Sequence, residues 1–148
     1  MGTRSTTQIR IGGVPRLTIY KQYDGYLDGV GNEILPILKK AHVNGFTDKF
    51  TQYNGPDNFC AMLVTQFMIR NITSNSIGCG GAYIEDHSQH GQEEWTYTID
   101  FENPDYEDWN AKQLPPKISV KAYGFIKENM TVEEFEKLVA EGLPDDEE

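Results

Sequence analysis

From Glu94 to Phe101 the chain alternates without a break. Trp95, Tyr97, Ile99 and Phe101 fall on one side, and Glu94, Thr96, Thr98 and Asp100 on the other. A period of two puts the four large side chains on one face of a β-strand. Such a strand has one face to bury and backbone groups to pair along its edges, so it requires a sheet with a covered face. The other elements must supply the neighbours and the cover.

Residues 6–11 and 16–23 read as two further strands, joined by a turn at Gly12, Gly13 and Pro15. Ile9 and Ile11 then share a hairpin face with Leu17 and Ile19. A short strand is expected at 82–85 and another at 117–125, with Ile118, Val120 and Ala122 inward. Ile34, Leu35, Leu38 and Ala41 give a helix that starts near Asn32, tolerates Pro36 only near its first turn, and ends at Asn44-Gly45. Gly55-Pro56-Asp57 opens a second helix carrying Phe59, Met62, Leu63 and Phe67, with Cys60 beside them as a buried free thiol. The third has a capping box, Thr131-Val-Glu-Glu134, with Met130 and Phe135 as a hydrophobic staple, and stops at Gly142 and Pro144. These elements predict an α+β fold: a mainly antiparallel sheet of about five strands with three helices, in the order β-β-α-α-β-β-β-α. Residues 1–142 form one domain and 143–148 an acidic tail, which suits a chain of 148 residues.

The formal charge of -10 is unevenly spread. Residues 1–50 hold 7 Lys and Arg against 4 Asp and Glu, whereas residues 51–148 hold 6 against 19. The overall sign disfavours bulk nucleic-acid binding and leaves a local basic surface from Arg4, Arg10, Arg16 and Lys21. No apolar run approaches the roughly 18 residues a membrane helix requires, and the N-terminus has no apolar signal core. A cytoplasmic protein with no membrane partner is expected, within the host cell if the chain is viral.

Candidate chemistry gathers between Leu17 and Leu38, where a strand meets a glycine-rich turn and a helix. Asp24-Gly25 is ordinary turn chemistry in one reading. In the other, Tyr20, Gln22, Tyr23, Asp24 and Tyr26 line the rim of a ligand pocket, Arg4 and Arg16 neutralise an anion with Lys21, and the helix beginning near Gly31 turns its positive end toward it. Gly29-Val30-Gly31 is too short for a dinucleotide fingerprint, and there is no P-loop or nucleophile elbow. Asp86, His87 and His90 with Cys79 match no zinc spacing, so neither a metal nor a cofactor is expected. His42 is read as a favourable charge near a helix C-terminus. Tyr106 and Trp109, set among Glu102, Asp105, Glu107 and Asp108, are the candidate anchors for a basic protein partner.

The opening Gly2, Thr3, Arg4, Ser5 and the run Tyr20-Lys21-Gln22-Tyr23-Asp24-Gly25-Tyr26 resemble a family of small bacterial and bacteriophage proteins. Its members begin Met-(Gly/Ser)-Thr-Arg and carry a Tyr-x-x-aromatic-Asp-Gly-Tyr motif. Residues 59–64, 80–84 and 94–99 extend the likeness, which covers about residues 1–101. It implies a phage-like origin and supplies no catalytic residue.

Three functions follow as expectations. The first is a non-enzymatic, phage-type binding protein that captures a small anionic, nucleotide-like ligand, as an anti-defence protein would. The second is an acidic module that binds or inhibits a protein, for instance one of the host, with self-association left open. The third is a small hydrolase, because clustered polar groups beside glycine turns also describe active sites.

Overall fold

The computed structural model describes residues 3–43, 45, 48–69, 72, 76–78, 80–87, 93–102 and 114–143. Gly12 and Gly13 both have positive φ, 58° and 82°, the conformation that a two-residue hairpin turn needs to match strand twist. They join β1 (Ser5–Ile11) to β2 (Val14–Lys21), and Ile9 faces Leu17 across the pair. The hairpin the sequence predicts is present, but Pro15 lies inside β2 opposite Arg10 rather than in the turn, and the strand ends at Lys21 rather than Tyr23.

Beyond it come α1 (Val30–Leu38), β3 (Ala41–Val43), β4 (Gln52–Asn54), α2 (Gly55–Met68), β5 (Ala82–Ile84), β6 (Trp95–Phe101), β7 (Lys117–Ala122), β8 (Phe125–Met130) and α3 (Val132–Glu141). The chain is α+β with three helices among the described residues, but the expected five strands in the order β-β-α-α-β-β-β-α do not hold. A mixed six-stranded sheet runs β5-β2-β1-β6-β7-β8, and β3 with β4 forms a second sheet of two.

Three physical causes account for the difference. First, β1 pairs with β6 in parallel, from Ser5 opposite Trp95 to Ile11 opposite Phe101, which places the sequence's clearest strand at the sheet centre. Second, the expected strand 117–125 is cut at Tyr123-Gly124, where Gly124 has φ 71°, and the chain returns as β8. That strand, Phe-Ile-Lys-Glu-Asn-Met, lies on an edge and buries only Met130, so it has no apolar alternation to reveal it. Third, α1 ends at Leu38 and residues 41–43 leave as β3, parallel to β4. Pro36 sits in the second turn of α1, beyond the first turn where it was expected to be tolerated, and having no N–H it cannot donate to the Asn32 carbonyl one turn earlier.

One face of the sheet carries Ile9, Ile19, Tyr97, Ile99, Phe101, Ile118 and Val120, all buried. The helices close over that face. α1 packs against both α2 and α3, contributing Ile34 and Ile37, while Phe59, Leu63 and Phe67 come from α2 and Phe135 and Val139 from α3. The capping box of α3 is formed as the sequence predicts: Thr131 Oγ1 accepts from the Glu134 amide at 3.1 Å, and Glu134 Oε1 accepts from the Thr131 amide at 2.9 Å. No helix among the described residues is long and apolar enough to cross a membrane.

The opposite face is polar and is also partly covered. Gln8 and Thr18 are buried there, joined by a 2.9 Å hydrogen bond from Gln8 Nε2 to Thr18 Oγ1. Arg10 Nε donates to Gln8 Oε1 at 2.7 Å, and His87 Nδ1 lies 2.9 Å from Thr18 Oγ1. Residues following β5 therefore fold over the polar face at β2 and β1, which pairs polar groups that burial would otherwise penalise.

Candidate functional site

The hinge between β2 and α1 is built for close packing of the chain on itself. The Gly25 amide donates to the Thr3 carbonyl at 2.8 Å, and the buried Tyr97 hydroxyl donates to the Gly25 carbonyl at 2.8 Å. A Cβ on Gly25 would sit 2.7 Å from Ser5 Cβ and 2.9 Å from the Arg4 carbonyl carbon, so only glycine lets the hinge dock on the start of β1. Asp24 is left-handed, with φ 58°, and its Oδ1 accepts from the Tyr26 hydroxyl at 3.0 Å. Turn chemistry explains this part of the motif.

The cations expected beside the hinge point elsewhere. Lys21 is 6% exposed and its Nζ lies 2.7 Å from Glu33 Oε1, on the first turn of α1, and 5.4 Å from the centre of the Phe67 ring. Arg16 belongs to the far end of β2, where Nε and Nη2 make paired hydrogen bonds to Asp57 at 2.8 and 2.9 Å. Arg4 alone stays near the tyrosines.

What the fold does bring together is an aromatic and acidic shelf at the β2–β5 margin. Tyr20 and Tyr83 are cross-strand partners, their rings 6.0 Å apart and inclined by 38°. The Tyr20 hydroxyl donates to Gln22 Oε1 at 2.9 Å, which fixes Tyr20 in place. Glu85 and Asp86 continue from β5, and these residues line an open trough of about 450 Å³. Burial raises the Tyr20 phenol above its usual value. The Arg4 charge opposes that rise, while Glu85, Tyr83 and Glu93 add to it. Among the described residues, three carboxylates, Glu85, Asp86 and Glu93, thus stand around this shelf against one guanidinium, that of Arg4. Tyr23 is exposed beside it and packs on the Gly81 backbone, where a Cβ would meet its ring at 3.0 Å.

No protein-family model, curated protein or solved structure matches this chain.

On the helix side of the same margin lies a second hollow, of about 210 Å³. Val64, Phe67 and Met68 of α2 form one wall, Ala82 and Ile84 of β5 the other, and Ile19 the floor. Tyr83 and Ile84 are 49% and 63% exposed, so β5 presents both faces to solvent at the sheet edge. Sequence reasoning assigned Tyr20 and Gln22 to a site and missed Tyr83 and Glu85. The short strand was expected, but only its pairing with β2 sets Tyr83 against Tyr20, and three residues followed by two acids carry no signal for that.

The remaining candidates do not join this shelf. His42 stacks on Tyr53, with ring centres 5.1 Å apart and planes within 11°, and lies edge-on to Phe101. It lies in β3 rather than in the last turn of α1, and burial lowers its pKa, so it is no charge for a helix terminus. The Cys60 thiol is half-buried against the core and pushed up to about 11, mainly by burial and also by Asp57. His87 is held by Thr18. Tyr106, Trp109, Cys79, His90 and the acidic tail from residue 144 lie outside the described residues.

Proposed function

We propose that this domain is a non-catalytic binding module that takes a cationic segment of a protein partner on the shelf of Tyr20, Tyr83, Glu85 and Asp86. One observation carries the reading: two aromatic rings sit side by side in a trough whose charged groups are mostly carboxylates. An arginine or lysine laid over Tyr83 gains from the ring face and from the acids together. An anionic ligand would meet the opposite sign, because Lys21 and Arg16 are already matched by Glu33 and Asp57. The β2–β5 margin thus offers a basic partner a surface other than the expected Tyr106 and Trp109, which lie outside the described residues.

The test is calorimetric titration of the whole chain with an arginine-rich hexapeptide and, separately, a glutamate-rich one. Only the basic peptide binds. Tyr83→Ala weakens it about fivefold or more, and Glu85→Gln with Asp86→Asn removes most of its salt dependence. Equal binding of both peptides, or affinity unchanged in these variants, would refute the reading.

A further inference from the structure

We infer that the partner segment binds as an added β-strand on the outer edge of β5, with apolar and basic side chains alternating along it. The inference rests on the basic-partner reading and specifies how that partner is held.

The hydrogen-bond phase of β5 shows what its edge offers. The Gln22 amide donates to the Gly81 carbonyl at 2.7 Å, and the Glu85 amide donates to the Thr18 carbonyl at 2.9 Å. In an antiparallel ladder the bonded pairs recur every second residue, so Tyr83 turns its backbone toward β2. The N–H and C=O groups of Ala82 and Ile84 turn outward, toward the side of β5 where no further strand pairs among the described residues. A strand laid there would bond to them, and its side chains would alternate between the two faces.

The two faces of this edge differ in chemistry. Side chains on the helix side enter the hollow between Ile84 and Phe67, which is lined almost wholly by apolar groups and has room for a large aliphatic residue. Those on the other side lie over Tyr83 and Glu85. An alternating apolar and cationic segment satisfies both, and no other simple pattern does. The opposite edge of the sheet is guarded in the ways natural edges usually are: β8 exposes Lys127 and Glu128, and its pairing with β7 is broken between Ile118 and Val120. β5 carries no such charge between Ala82 and Ile84. A second copy of the chain is a poor occupant, because pairing β5 with itself would set two acidic troughs along one seam in a protein of formal charge -10.

The experiment uses the whole chain and fluorescently labelled synthetic hexapeptides, read by anisotropy. The parent is Arg-Ile-Arg-Ile-Arg-Ile, and the control is the block peptide Arg-Arg-Arg-Ile-Ile-Ile. Two N-methylated forms of the parent block the amides of either the isoleucines or the arginines. Only one alternate set of amides in an added strand faces β5. One methylated form therefore binds about tenfold more weakly and the other close to the parent, and the block peptide binds about tenfold more weakly as well. Ile84→Pro removes an outward amide without touching the β2 ladder, and weakens the parent more than Ile84→Ala does. If both methylated forms and the block peptide bind like the parent, strand addition is overturned while the basic-partner reading stands. If no basic peptide binds, both fall. A concentration-dependent dimer that Ile84→Pro dissolves would assign the edge to a second copy and overturn the inference.

Discussion

Lys21 and Glu33 form a buried ion pair that ties the end of β2 to the first turn of α1. Each residue is 6% exposed, and Nζ stands 2.7 Å from Oε1. At an effective dielectric of about 20 that separation gives a gross attraction of about 6 kcal/mol. Withdrawing two ions from water cancels most of it, leaving little net gain over an apolar pair of the same volume. Removing one partner is a different matter, since the remaining ion stays buried and loses this pairing. Glu33→Ala is expected to destabilise by about 3–5 kcal/mol, and Lys21→Ala by as much, with loss of the contact to Phe67 adding to the latter. The double variant Lys21→Met/Glu33→Leu should return to within about 1 kcal/mol of the parent. Urea unfolding followed by tryptophan fluorescence measures all four proteins. With a slope of about 1–3 kcal/mol per molar, the single variants lose at least about 1 M from the midpoint. A double variant no more stable than either single variant would refute the claim that the two charges depend on each other.

Gly25→Ala should cost about 1–3 kcal/mol, because its Cβ meets backbone at Thr3 and Arg4 that β1 holds in place; a midpoint equal to the parent's would show that the hinge can move away. His42 titrates with a definite sign. Burial lowers its folded pKa below the unfolded value of 6.5, so its contribution is fully present above pH 6.5. It is lost as pH falls from 6.5 through the folded pKa, at up to about 1.4 kcal/mol per pH unit. His42→Phe keeps a ring on Tyr53 and should flatten stability between pH 7 and pH 5.5 relative to the parent; identical profiles would remove His42 from the pH response.

The parts of the fold legible in the sequence are those whose signals are local. The β1–β2 hairpin is announced by Gly12-Gly13, and α3 by its capping box. β6 is announced by strict alternation. Illegible parts depend on distant partners. β8 exposes most of its length, and β3 is held by pairing with β4, where His42 stacks on Tyr53 eleven residues later in the chain. The candidate site divides in the same way. The cluster around Tyr20 and Asp24 stands out in the chain, but a lysine reads alike whether it faces solvent or a buried carboxylate. Lys21 acquires its role only when α1 folds back to deliver Glu33. Tyr83 acquires its role only when β5 pairs with β2, some sixty residues earlier in the chain.

The parallel pairing of β1 with β6 also governs the order in which this protein can be completed. As the chain leaves the ribosome, β1, β2 and the first two helices are made long before Trp95. Until β6 arrives, Ile9 and its neighbours have one side without a strand, a bare edge in what will be the middle of the sheet. Closing a loop of about ninety residues is slow compared with forming a hairpin. The interval exposes the nascent chain to pairing with its neighbours on a polysome. Variants that weaken β6 should therefore accumulate as aggregates during synthesis even where the finished fold tolerates them.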